Sequence, residues 1–367
     1  MPGGRANGGE LTVAALRARP VSVPLDPPVQ TASGRIGSAP LVLIDLLTDD
    51  GVTGRSYVFC YTPIALGAVA TLLGQMEELI KGMAVAPAAM DTRLQAVFRL
   101  LGPQGLTGMA MAGIDMAAWD ALARAAGLPL VRLLGGEARP VPAYGSLRTM
   151  DPAGAAKEAG ELAGLGFTAY KVKVGLSDVE ADAAAVRAIR TEVGDQVPVA
   201  VDYNQSLSIP EAIRRTRALE DEGLLWIEEP TRADDFEGHA RIARETATPI
   251  QMGENWWGPH DMARSIAAGA SDFGMPDAMK IGGVTGWLWA AGLAQAAGLP
   301  LSSHIFPEFS AHLLAVTPTR HWLEYLDVAS AVLQEPVKVE DGHVLVPDVP
   351  GVGLEWNDDA VRRFAVA

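Results

Sequence analysis

Between Lys171 and Glu324 one apolar segment after another ends on an ionisable residue, at nearly regular intervals. TAYKVKV closes with Lys171 and Lys173, VPVAVDYN carries Asp202, LLWIEEP carries Glu228 and PIQMGEN carries Glu254. Asp277 follows in DFGMPD, His304 ends LPLSSH and Glu324 sits in HWLEYL; from Lys173 onward the steps are 29, 26, 26, 23, 27 and 20 residues. A strand, its loop and the helix returning to the next parallel strand take roughly 25–35 residues, the repeat of a (β/α)8 barrel of about 250 residues. Each ionisable residue therefore stands at the C-terminal end of its own strand, on the rim where such barrels do chemistry. One coincidence of this kind is uninformative; six in succession predict an active site.

The remaining chain is arranged around that series. At 367 residues it exceeds the usual single hydrophobic core, so two domains are expected. Residues 1–9 (MPGGRANGG) lack the apolar run of a signal peptide and read as a disordered tail. Residues 10–138 read as an α+β domain, with β-rich LTVAALRARPVSV, APLVLIDLLT and VTGRSYVF followed by two helical stretches whose apolar residues recur at three and four. The polar stretch from Pro27 to Ser38 is either a surface loop or a lid. The barrel occupies 139–326; Asp151-Pro152 opens its first helix, and Ser177 with Glu180 and Ser208 with Glu211 have capping-box spacing. Residues 327–367 form a hairpin turning at Asp341-Gly342 and pack back on the first domain.

Composition narrows the partners. A net charge of −15 argues against nucleic acid, which basic patches recognise. Gly, Pro or charge interrupts the apolar windows short of the ~20 residues of a membrane span. The lone Cys60 excludes an internal disulfide and a thiolate metal site. A cytoplasmic enzyme acting on a small molecule is expected.

Asp202, Glu228 and Glu254 end three successive strands and converge on one side of the mouth. Clustered carboxylates raise each other's pKa unless a cation lies between them. Three oxygen ligands suit Mg2+, with Mn2+ also possible. Asn204 shares a strand face with Asp202. Lys171 and Lys173, two apart on a strand, point the same way about 7 Å from each other. Like charge nearby lowers a lysine towards the range of a general base. Asp277 and His304 on neighbouring strand ends make a carboxylate–imidazole pair across the barrel from the lysines. Glu324 is open to two readings, a neutral hydrogen-bond donor to a developing oxyanion or a plain salt bridge. A metal, two opposed bases and an acid suit removal of a proton beside a carboxylate, whose carbanion needs about 10 kcal/mol of stabilisation. Lys280, three residues past Asp277, falls outside this set.

The segments APLVLIDL, AGIDMAAWDAL, VDYNQSL, WIEEPT, QMGENW, MPDAMKIGGVTGW, SAHLLA and HWLE resemble the mandelate racemase/muconate lactonizing enzyme family of the enolase superfamily. The similarity covers nearly everything after about residue 11. It implies an α/β fold, a (β/α)7β-type TIM barrel with an N-terminal α+β capping domain completed by the C-terminal segment. It also implies Mg2+ on Asp202, Glu228 and Glu254, Lys173 as base for the S enantiomer, and His304, oriented by Asp277, as base for the R enantiomer. Lys171 would neutralise the substrate carboxylate and Glu324 would be the electrophilic acid. Ser146, Asn204, Tyr61 and Ser33 would surround a small carboxylate substrate beneath a lid at 27–38. The implied activity is racemisation of a 2-hydroxy acid, mandelate or a related aryl acid, through a metal-stabilised enediolate. The alternative is an acid-sugar dehydratase of the same superfamily; a cycloisomerase, with a lysine on the sixth strand, is disfavoured by the Asp277–His304 pair. A homo-oligomer, an octamer by analogy, is expected. Ser33 and Arg35 make the lid more polar than the family's, and Pro27 and Pro307 are further departures.

Overall fold

The computed structural model describes residues 10–175 and 177–366, so the tail expected at 1–9 lies outside the described residues. Strands β1 (Val13–Thr31), β2 (Gly34–Thr48) and β3 (Thr53–Phe59) form an antiparallel meander. Ala39–Leu46 is buried throughout, as its near-continuous apolar character demands of a strand covered on both faces. Ile44 and Val58 face the helix Gly105–Ala126, where Gly113 permits close approach: a Cβ there would lie 2.5 Å from Ile44 Cδ1. Tyr57, the neighbour of Val58, points the other way and stacks on Phe306 of the barrel.

The stretch 27–38 is not a loop. β1 and β2 continue through it as a hairpin that turns at Ala32-Ser33, and a slip in pairing between Pro24 and Val29 absorbs Pro27 and Pro28. An edge ladder tolerates prolines that a central strand would reject. The helix Pro63–Ile80 also departs from expectation. Its 18 residues, at a mean hydropathy of 1.2, are long and apolar enough to cross a membrane. Its buried residues Leu66, Val69, Leu73, Met76 and Ile80 recur at three and four, one apolar stripe laid along β1.

Eight parallel strands follow: β4 (Val141–Ser146), β5 (Tyr170–Lys173), β6 (Val199–Asp202), β7 (Ile227–Glu228), β8 (Ile250–Met252), β9 (Phe273–Gly274), β10 (Leu301–Ser303) and β11 (Arg320–Tyr325). They pair in sequence order, and β11 returns to β4 to close the ring. Seven crossover helices link them among the described residues, which makes the fold a (β/α)7β barrel. Asp151 caps the first, accepting from the Gly154 N–H at 2.8 Å. Neither expected capping box is made. Asp178, not Ser177, caps the second helix by accepting from the Ala181 N–H. Ser208 makes no side-chain cap, and Glu211 pairs instead with Arg214 and Arg215.

The C-terminal segment joins both parts. Its hairpin, β12 (Val339–Glu340) and β13 (His343–Val344), pairs antiparallel with β4 of the barrel, which the sequence reading did not anticipate. Beyond it the chain packs on the capping domain. Buried Asp120 accepts from the N–H groups of Arg55 (2.8 Å) and Val352 (2.7 Å), while Arg124 reaches Asp120, the Leu354 carbonyl and Glu355.

His312, on the barrel helix Pro307–Ala315, bridges three regions. Its Nδ1 accepts from the Val131 N–H at 3.2 Å, and its Nε2 faces the Val352 carbonyl at 3.4 Å. Burial holds its pKa down at about 4, only partly opposed by the Val352 carbonyl. The unfolded chain therefore takes up a proton near the ordinary histidine pKa while the folded protein does not. Stability should fall as the pH drops from about 6.5 to about 4, by about 3 kcal/mol through this residue. Urea unfolding across that window should show the fall in the wild type, and His312→Gln should remove that share of it. A pH dependence identical in both proteins would refute the assignment.

Candidate active site

The expected barrel residues stand at its C-terminal rim, while Tyr61 and Ser33 reach the same cavity from the capping domain. Ser146, Lys173, Asp202 and Glu228 are the last residues of β4, β5, β6 and β7, His304 follows β10, and Glu324 is in β11. Glu254 lies just past β8 after Gly253, whose φ of 136° aims the following carboxylate over the mouth. A Cβ on Gly253 would lie 2.7 Å from the Trp256 ring, so the turn admits glycine alone. Asp277 pairs with His304 as an isolated parallel bridge beyond β9.

The structure gathers the three acids: one oxygen each from Asp202, Glu228 and Glu254 lie within 4.8 Å of one another. Burial pushes Asp202 up, and Glu228 up to about 8, against the pull of Lys171. Glu254 shifts downward, because the charges of His304 and Lys280 outweigh its burial. Asn204 clasps Asp202 through its N–H (2.8 Å) and Nδ2 (2.9 Å), leaving its own buried Oδ1 without a partner. Trp226 Nε1 and Gln251 Nε2 both donate to Glu228 Oε2 at 3.2 Å. Clustered carboxylates plus an orphaned amide oxygen form a hard, all-oxygen donor set, which fits a divalent cation such as Mg2+.

Neighbouring charge sets two of these groups. Lys171 Nζ lies 2.5 Å from Glu228, 2.6 Å from Glu324 and 3.4 Å from Asp202. Burial pulls its pKa down, but these carboxylates outweigh burial and hold it well above the ordinary lysine value. Glu324 forms the ion pair with Lys171, the second of its two readings. Burial raises its pKa, yet the charges of Lys171, His304 and Lys173 bring it down to about 2.

Among the described residues Lys173 Nζ makes only long contacts, 3.3 Å to Ser146 Oγ and 3.3 Å to the Leu147 carbonyl. His304 Nδ1 bonds Asp277 at 2.7 Å, which turns Nε2 towards Glu254 at 3.2 Å. Burial lowers the His304 pKa, but Glu254 and Asp277 bring it up to about 9. The two bases stand three strands apart round the ring in one direction and five in the other. Both line a single cavity of about 320 Å3. Its roof is the hairpin, through Val29, Thr31, Ser33 and Ile36; Val29 and Ile36, with Phe59, Leu326 and Val328, supply its apolar lining. Arg35 is exposed and does not line the cavity, so the lid is less polar inside than its sequence implies. Pro307 opens the helix after His304, a first-turn position that suits its fixed φ.

Lys280, placed outside the site from sequence, lines the cavity. Asp277 Oδ1 accepts from the Met279 and Lys280 N–H groups, and this tight turn folds Lys280 back over the mouth. Its Nζ donates to Asn255 Oδ1 at 2.7 Å and sits 4.4 Å from the Tyr61 ring centre. Gln205 and Asn255 complete this polar wall, with Tyr61 reaching Asp277 at 3.5 Å. Asn255 also bonds buried Glu229, the second acid of WIEEP. The signal available in sequence is the Asp-x-x-Lys spacing, which encodes the turn but not where it points.

With the geometry in hand, comparison with known proteins is decisive. Residues 13–135 match the mandelate racemase/muconate lactonizing enzyme N-terminal domain, and residues 154–360 match the enolase C-terminal domain-like family. The chain belongs to the mandelate racemase/muconate lactonizing enzyme family. A crystal structure of an enolase from Bradyrhizobium, complexed with magnesium and mandelic acid, is 46% identical, with a TM-score of 0.92 over 98% of this chain and 100% of that one. The 3,6-anhydro-alpha-L-galactonate cycloisomerase of Streptomyces coelicolor is 35% identical over 335 residues, covering 89% of this chain and 91% of the relative. The L-talarate/galactarate dehydratase of Salmonella typhimurium is 35% identical over 267 residues, covering 71% and 67%.

Proposed function

We propose that this protein is a Mg2+-dependent racemase of a 2-hydroxy acid with an aryl or similarly apolar side chain. The observation that carries the reading is the pair of nitrogen bases, Lys173 and His304, on well-separated strands facing one cavity. Racemisation needs one base on each face of a single carbon, one removing a proton and the other returning it. The 46%-identical relative that holds mandelic acid and magnesium supports the substrate class.

Asp202, Glu228 and Glu254 would hold Mg2+, which when bound supplies positive charge to a substrate carboxylate. The chain's own residues do the rest. Lys173 takes the α-proton of the S enantiomer and His304 Nε2 that of the R enantiomer, the imidazole kept in place by Asp277. Lys171 holds Glu324 and Glu228 beside the carboxylate site. Val29, Ile36, Leu326 and Val328 exclude water and receive the apolar side chain.

The test is to incubate each mandelate enantiomer with the enzyme and Mg2+ in D2O. Both should lose the α-proton signal by NMR as optical rotation decays. Exchange from neither enantiomer would overturn the reading. A second reading, acid-sugar dehydration, draws on the polar wall of Lys280, Asn255 and Gln205 and on the dehydratase relative. It would appear as 2-keto products from aldarates, without racemisation of mandelate.

A further inference from the structure

The turn after His304 is strained. Ile305 and Phe306 both adopt left-handed backbone, with φ of 37° and 49°. A β-branched residue takes that conformation only when its surroundings impose it. Here the imposing groups are identifiable. Ser310 Oγ donates to the Ile305 carbonyl at 2.8 Å. From the capping domain, Tyr57 stacks on Phe306 with ring centres 4.8 Å apart and donates its hydroxyl to Glu308 Oε2 at 2.8 Å. Tyr57, Phe306 and Glu308 are all buried. The strained turn points the Ile305 N–H at Glu324 Oε2, 3.2 Å away, immediately after the histidine that bonds Asp277.

We propose that Tyr57 and Glu308 are positioning residues, through which the capping domain clamps the strained turn and so sets His304. The clamp serves one base and not the other. Lys173 stands on β5 with contacts to Ser146 and Leu147, shared with no member of the clamp. The inference rests on the two-base reading above and adds an asymmetry to it.

Tyr57→Phe removes the hydroxyl and keeps the stacked ring. Exchange from R-mandelate, the side of His304, should fall about tenfold to a hundredfold relative to exchange from S-mandelate, with KM within about twofold. Because Tyr57→Phe also strands a buried acceptor, the double variant Tyr57→Phe/Glu308→Met separates positioning from stability. It should regain thermal stability without regaining the R-side rate. Glu308→Gln keeps an acceptor oxygen for the Tyr57 hydroxyl and should keep the R-to-S ratio of the wild type. Equal losses from both enantiomers, or recovery of the R-side rate with stability in the double variant, would overturn the clamp. A wild type that exchanges neither enantiomer would overturn the two-base reading itself, and the clamp with it.

Discussion

Lys173→Ala should abolish exchange of the α-proton of S-mandelate, by at least about a thousandfold, while the enzyme continues to exchange R-mandelate. His304→Asn should show the reverse. The asymmetry is expected because the two bases share no contact: Lys173 touches Ser146 and Leu147, and His304 touches Asp277 and Glu254. Neither truncation collapses the opposite side. Lys173 has only long contacts to lose, and Asp277 keeps the N–H groups of Met279 and Lys280 after His304 is shortened. Overall racemisation must vanish in both variants, since every turnover uses both bases. The readout is loss of the α-proton signal in D2O for each enantiomer separately. If each variant slows both enantiomers alike, one base serves both and the racemase reading is wrong.

Asp202→Asn should weaken Mg2+ binding by more than about a hundredfold, beyond the usual cost of altering an outer-shell partner. It should also slow exchange from both enantiomers together, by about a hundredfold to a thousandfold or more. The substitution removes one of three clustered charges and does a second injury. Asn204 presents two donors to Asp202, at 2.8 and 2.9 Å, so an amide there sets one NH2 group against another. Titration calorimetry measures the affinity, and the same NMR assay measures the rates. Undiminished Mg2+ binding, or a loss confined to one enantiomer, would mean that Asp202 is not in the cation's coordination sphere.

How far the chain could be read depends on the kind of interaction. The strand-end acids are legible because a crossover of regular length returns each to the same rim. Asp202 and Glu228 are accordingly the last residues of their strands. The hairpin roof was obscured by the polar, glycine-containing character of Pro27 to Ser38, although the two strands pair through it with a slip that accommodates Pro27 and Pro28. Its inner polarity was misjudged because alternation sends Arg35 outward and brings Val29 and Ile36 to the cavity. Lys280 was missed for a similar reason, since its side chain re-enters the mouth only because the turn on Asp277 folds back.

Glu324 marks the boundary most clearly. An acid on the last strand, in an enclosed mouth, follows from spacing alone. Whether burial or neighbouring charge governs its proton depends on Lys171 at 2.6 Å, from the second strand of a ring that closes β11 on β4. Periodicity along a chain encodes which rim a residue occupies, because strand and helix lengths are local properties. Charge state, strain and shared contacts arise between residues such as Tyr57 and Glu308, 251 positions apart, and come into being when the capping domain settles on the barrel.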